Sequence, residues 1–529
     1  MNSIRCKIKE YIQPFERFLA LKELSVISGQ NIEDSGQKEF LVRTQENAAA
    51  FVKKLAYWET IESKNSTLVT LQSKRESTVN LVRNGNDLNT LRHILPFKEE
   101  TPLPNRRCLR YGPHGIHEYR GKFFPQLVRS LANIADLNNG GIIADPMSGS
   151  GTTIVEANLM GCKGIGLDMN PLSVFIGKVK CELLRASPIS LESAYTIVRE
   201  KIVTPEIRLT RRLRHFSSLS VADQEYLKNW FADDVLLSLD EVTEIINSIE
   251  YTPARNLMWV SLSNILRSVS WQKDDDLRVR KEIRTDAEID PKKEFLEELT
   301  RSVRAVLAFL YQSGSIKDKD YSIIEGDARL SASIWKKHRG KIDTVITSPP
   351  YATALPYLDT DRLSLIYLGL LTRPDHRKKD QLMIGNREIS DKLRIDYMNS
   401  FDVNRHQLPS NIVSLIRTID TLNEGTDAGF RRLNLPALLA KYFFDMKDVL
   451  QNIKILLKRG STAFLVVGNN HTIAGGQRID ILTADLLEEL ADQSNFLIQP
   501  AISMEMLLSR DIFKKNTSDT EKILVLRKK

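Results

Sequence analysis

Cysteine is scarce: four residues in 529, Cys6, Cys108, Cys162 and Cys181, with no C-x-x-C pair and no histidine-rich tract beside them. That excludes a disulfide framework and a zinc ribbon, so no metal is expected and the thiols should be free and mostly buried. Long apolar runs are also lacking. No stretch approaches the roughly 20 residues that cross a bilayer. The opening MNSIRCKIKEYIQPFERF lacks the apolar segment of a secretory signal. The expectation is a cytoplasmic protein with no membrane partner. Internal repeats and low-complexity tracts are missing as well.

What is present suits a large soluble chain. Hydrophobic residues make up 42 %, enough for a substantial core, and charged residues 27 %. The length allows two to four domains. Formal net charge is +8, a balance that suits a partner with a phosphate backbone.

Along the chain, residues 1–105 read as a helical, polar accessory region, with apolar residues at helical spacing around ENAAAFVKKLAYWETIES. PLPNRRCLRYGPHGIHEYRGKFFPQ then reads as an irregular loop, rich in Pro, Gly, Arg and aromatics. Behind it follow a helix (PQLVRSLANIA), a short strand (GGIIADP), a helix (TTIVEANLMG) and a second strand (KGIGLD). This alternation implies a parallel α/β sheet over 106–185. Residues 186–320 break the rhythm with helical patterns and basic stretches, RLTRRLRH and DLRVRKEIR, and read as a mainly helical insertion. The rhythm resumes over 321–529 with YSIIEGD, KIDTVITSPPY, a long helix, STAFLVVGNN and a closing strand EKILVLRKK. A second, basic insertion interrupts it at about 372–432.

Three motifs carry chemistry. Asp145-Pro-Met-Ser-Gly-Ser-Gly-Thr-Thr153 lies between a predicted strand and a predicted helix. Gly149 and Gly151 would let the backbone turn sharply against a ligand, and the helix start offers free N–H groups. It lacks the Gly-Lys-Ser/Thr ending of a P-loop and the G-x-G-x-x-G of a dinucleotide site. A plain tight turn would look the same. Next, Asp168 in Gly-Leu-Asp-Met-Asn-Pro ends the following strand, where a carboxylate can accept both hydroxyls of a ribose; a helix cap is the alternative. Asp327 in Glu-Gly-Asp ends another strand and could accept from an adenine amino group, or act as a turn residue. The third motif, Thr347-Ser-Pro-Pro-Tyr351, is the most specific; as a mere rigid turn it would be an unusual one.

These motifs together resemble the DNA amino-methyltransferases, which methylate N4 of cytosine or N6 of adenine. ADPMSGSGTT is similar to the family's Asp-Pro-Phe-x-Gly-Ser-Gly-Thr loop, with Met147 in place of Phe. GLDMNP resembles the ribose-binding motif, EGDAR the adenine-binding one, TSPPY the catalytic one, and HEYRGKFFPQL the segment that closes over the methionine carboxylate. LLKRGSTAFLVVGNN resembles a later strand and loop. The resemblance covers about 110–180 and 320–529.

It implies an α/β fold, a Rossmann-like class I methyltransferase sheet carrying the helical insertion and the helical N-terminal region. It implies S-adenosylmethionine as cofactor, held by Lys122, Phe123, Asp145, Pro146, Gly149, Gly151, Thr152, Asp168, Asn170 and Asp327. Ser348, Pro349, Pro350 and Tyr351 become the catalytic residues. The glycine loop precedes TSPPY, as in the class with target recognition between them, which points to 186–320 as the DNA reader. Double-stranded DNA is the implied partner, with a companion restriction endonuclease. Ser348 before Pro-Pro-Tyr goes mostly with cytosine N4 in this family; adenine N6, an RNA amino group, and a non-catalytic cofactor-binding subunit stand as alternatives.

Overall fold

The computed structural model describes residues 2–529 except 65, 99–100, 120, 122, 138–139, 205–212, 274–279, 284–288, 317–319, 353–356, 426–428 and 506–519. The first strand, β1 (Asn2–Ile8), pairs antiparallel with β2 (Glu39–Thr44) and β3 (Trp58–Ser63), and β4 (Ser66–Val69) joins the edge of β3. This corrects the helical N-terminal region expected from sequence: helices are there, but they flank a four-stranded sheet. The physical signal is alternation. Ile4, Cys6 and Ile8 are buried on one face of β1, and Phe40, Val42 and Thr44 on one face of β2. Each run is too short to outweigh the helix Pro14–Ser28 between them.

The central sheet contains β5 (Ile142–Asp145), β6 (Lys163–Asp168), β7 (Tyr321–Glu325), β8 (Ile342–Thr347), β9 (Leu457–Gly468), β12 (Phe496–Glu505) and β13 (Thr520–Lys528). A separate hairpin pairs β10 (Asn470–Ala474) with β11 (Gln477–Ile481). Strand order in the sheet is β12-β13-β9-β8-β5-β6-β7. The pairs β5–β6, β6–β7, β5–β8 and β8–β9 are parallel, while β13 runs antiparallel between β9 and β12. From β5 the chain winds outward through β6 and β7, then restarts on the other side with β8. The switch point therefore falls between β5 and β8, where ligands of such sheets bind outside the strand carboxyl ends. This is the Rossmann-like class I methyltransferase arrangement.

Each face of the sheet is covered. Helix Phe430–Leu456 buries Tyr442, Phe443, Met446, Leu450 and Ile453 in one cluster with Val345, Leu465 and Leu524 of the strands. On the other face, helix Pro125–Ile134 buries Leu127, Val128 and Leu131 among Ile143, Ile346 and Phe464, and the same cluster takes Leu19 and Leu24 of the N-terminal helix. Polar ties cross that seam: the buried Glu23 accepts from the Asn133 amide, and the buried Glu76 from the Gln126 amide and the Lys9 ammonium. Burial pushes the Glu23 carboxyl up to about 7.

Between β6 and β7 stand helices Pro188–Val203, Arg214–Ser218, Val221–Lys228, Asp233–Asn247, Thr252–Ile265 and Pro291–Ser313. They share one apolar core with helix Pro171–Leu183 and Ile323 of β7, with Leu236, Leu257, Val260, Phe295, Leu299 and Val306 fully buried. Between β8 and the long helix lie Arg373–Leu382, Asp391–Asn404 and Ser410–Asn423. Cys6, Cys108, Cys162 and Cys181 are free and buried. Among the described residues no helix is long and apolar enough to cross a membrane.

Candidate functional site

The loop after β5 is built for close packing. Gly149 (φ +46°) and Gly151 (φ +79°) take left-handed conformations that favour glycine. A Cβ on Gly149 would lie 3.1 Å from the Tyr119 ring, and one on Gly151 2.8 Å from the Gly177 Cα. Gly149 thus makes room beside the cavity, whereas Gly151 lets two helices approach. Ser148 N–H donates to the Leu167 carbonyl (2.9 Å), tying the loop to β6. Beneath it, the buried Lys180 Nζ donates to Ser150 Oγ (2.9 Å). Burial pushes that ammonium down to about 7.

Asp168, at the end of β6, accepts from Gly149 N–H through Oδ2 (2.8 Å) and from Asn170 N–H through Oδ1 (2.8 Å). It therefore caps and shapes both loops, and each oxygen keeps a second lone pair. Burial pushes its carboxyl up to about 6, against those two hydrogen bonds. Asn170 caps helix Pro171–Leu183 through Oδ1 and donates from Nδ2 to Asp361 (2.9 Å).

The Ser-Pro-Pro-Tyr motif leaves β8 on the other side of the switch point. Thr347 Oγ1 donates to Asp145 Oδ1 (2.7 Å), so Asp145 joins the glycine loop to the Ser-Pro-Pro-Tyr loop. Burial pushes Asp145 up to about 7. Ser348 Oγ donates to the Val466 carbonyl of β9 (3.0 Å). The hydroxyl proton is thereby committed, and the oxygen remains as an acceptor. Tyr351 Oη donates to Glu521 Oε1 of β13 (2.5 Å).

One cavity gathers Phe123, Gly149, Asp168, Asn170, Ser348, Pro349, Pro350 and Tyr351, the expected residues of four separate segments. Lys122 lies outside the described residues. Asp145, Pro146, Gly151 and Thr152 do not line the cavity; Asp145, Pro146 and Thr152 are buried behind it. Asp327 is elsewhere engaged. It caps a turn at Arg329 N–H and forms a bidentate pair with the Arg329 guanidinium, which also reaches Asp445 and the Leu382 carbonyl.

Sequence reasoning missed several wall residues: Tyr119, Met383, Val466, Met504 and Glu521. Met383 brings the second insertion to the cavity. Tyr119 is held by Ser173, whose Oγ donates to its hydroxyl (2.8 Å). The first insertion steadies the same loop, because Asn264 Oδ1 accepts from Glu118 N–H (3.0 Å). Tyr119 stands four residues past the Gly-Pro-His-Gly turn and could have been suspected from its company; Glu521 and Val466 depend on strand register.

The family model described as "RMKL-like, methyltransferase domain" matches residues 117–198, the stretch from this loop through the glycine motif and Asp168. The chain is similar to type II methyltransferase M.BsoBI of Geobacillus stearothermophilus, 24 % identical over 436 residues, covering 74 % of this chain and 82 % of that one. It is similar to M.MvaI of Kocuria varians, 24 % over 306 residues (54 % and 65 %), and to M.MjaII of Methanocaldococcus jannaschii, 26 % over 318 residues (46 % and 60 %).

The cavity suits S-adenosylmethionine. A carboxylate with spare acceptor capacity stands at a strand end, a left-handed glycine bares backbone, and Phe123, Phe124 and Met147 supply apolar wall. Strand order and motif placement are those of a class I methyltransferase with S-adenosylmethionine as its methyl donor, and the chain is similar to type II methyltransferases, to M.BsoBI over 74 % of its length.

Proposed function

We propose that this chain methylates the exocyclic amino group of a base extruded from duplex DNA, at cytosine N4, within a specific sequence. The observation that carries the reading is Ser348. Its oxygen faces the cavity shared by Gly149, Asp168 and Tyr351, with its own proton held by Val466.

The target amine is a poor nucleophile because its lone pair is delocalised into the ring. Ser348 Oγ, and the Pro349 carbonyl by family likeness, accept the amine hydrogens and localise that pair. Pro349 and Pro350 keep the loop rigid, so the acceptor stays in place. Tyr351 stacks on the extruded base and replaces part of its lost stacking. S-adenosylmethionine, when bound, supplies a methyl group activated by a sulfonium charge. Asp168 accepts the ribose hydroxyls, Phe123 and Met147 pack on the apolar parts, and the Gly149 backbone closes in. Positioning and electrostatics carry the catalysis.

Ser348 favours cytosine by likeness to the family. A neutral oxygen with its proton tied off is an acceptor, but polarises an amine less than a carboxylate does. The helices over 186–320 are the proposed DNA reader, and the site they select is one that a companion restriction endonuclease would otherwise cut. The test is methyl transfer from labelled cofactor to unmodified duplex DNA and, in parallel, to RNA, with the product digested and its nucleosides identified by mass spectrometry. N4-methylcytosine is expected. N6-methyladenine alone would overturn the base, and label confined to RNA would overturn the substrate.

A further inference from the structure

Tyr351 is held at two points by the same pair of strands. Its hydroxyl donates to Glu521 Oε1 (2.5 Å), on β13. Its ring lies against Gly468, on β9: a Cβ there would stand 2.5 Å from Cε2, 2.9 Å from Cζ and 3.0 Å from Cδ2. Glu521 and Gly468 are direct cross-strand partners. Hydroxyl and ring edge are thus fixed by neighbours in one antiparallel rung, while the next residue, Ala352, is buried and its carbonyl accepts from Asn470 (3.2 Å). A phenol ring otherwise turns readily about its broad terminal torsion. The bond at the hydroxyl, which lies on that torsion's axis, fixes where the ring points, the contact at its edge limits its rotation, and the ring is left bordering the cavity, which Glu521 also lines.

We propose that Glu521 is a positioning residue that holds the axis of the Tyr351 ring, while Gly468 limits its rotation, so that the ring is set for stacking on the extruded base. The proposal rests on the function given above. Glu521 itself touches neither base nor cofactor; it acts through Tyr351. The bond to a half-buried carboxylate is also the stronger kind of hydrogen bond, which suits a role in orientation.

The test uses the full chain, labelled S-adenosylmethionine and unmodified bacterial genomic DNA. Glu521→Ala should lower kcat at least tenfold, with KM for DNA and calorimetric cofactor affinity within about twofold of the parent. Glu521→Gln, whose amide oxygen still accepts from the phenol, should recover most of that loss. Tyr351→Phe should match Glu521→Ala, and the double variant should be no slower than either single one. Cofactor affinity reports folding in every variant. Parental kcat in Glu521→Ala, or losses that multiply in the double variant, would overturn the positioning role. A parent that labels no DNA would instead overturn the proposed function, and this inference with it.

Discussion

Asp168 already accepts two backbone N–H groups, so a ligand's hydroxyls must share its oxygens. Only the ionised carboxylate has acceptors enough for both tasks. Burial pushes it up to about 6. Hydroxyl binding favours the charged form, so cofactor affinity should be full above that value and weaken as pH falls through it. Calorimetry from about pH 5 to about pH 8 should show this loss in the parent and a flat profile in Asp168→Asn, offset by roughly 1.5–3 kcal/mol. A parental profile as flat as the variant's removes Asp168 from the ribose. Ser348→Ala should leave cofactor affinity alone and slow methyl transfer by roughly five- to a hundredfold, the worth of one hydrogen bond; parental turnover would place the amine elsewhere. At this scale residue type and strand-end position coincide at Asp168 and Ser348, and both line the cavity. The sequence is silent where a second residue intervenes. Asp327 has the right position, yet Arg329 two residues on claims both its oxygens. Nothing in the spelling EGDAR distinguishes that ion pair from an open acceptor.

Elements were legible in proportion to their length and regularity. Helix Pro125–Ile134 and strands β5, β6 and β8 fall where apolar runs and turn residues put them. The N-terminal strands were not, because their alternation spans only six or seven residues each and their pairing joins segments some thirty residues apart. Neither was the partner of any strand, and hence neither was the rung that carries Gly468. Gly468→Ala should press a methyl into the Tyr351 ring and lower kcat at least tenfold with little change in thermal stability; a variant with parental kcat would show that the ring has room to yield. A second element-scale prediction concerns helix Pro171–Leu183. Its Lys180 is fully buried beside Ser150, and burial pushes it down to about 7. Above that value the folded chain has released a proton that the unfolded chain keeps until near 10.5. Stability should therefore gain from Lys180 as pH rises between those two values, and Lys180→Met should lack the gain. Denaturant titrations of both proteins across that window, compared as a difference, check it; parallel curves would mean the ammonium finds a partner when charged.

For the whole molecule, the excess of +8 predicts DNA affinity that falls steeply with salt, on the order of a thousandfold between about 50 and 200 mM if six or more phosphates are held. Fluorescence anisotropy with an unmodified duplex measures the slope, and a flat line would argue for a partner without a phosphate backbone. The architecture also has an order of assembly written into it. Strands β9 and β12 leave the ribosome before β13, yet β13 must lie between them. Until it arrives, both present bare edges, and the rung that holds Tyr351 does not exist. On the proposed reading, the anchor of Tyr351, and with it base modification, comes only with the insertion of β13.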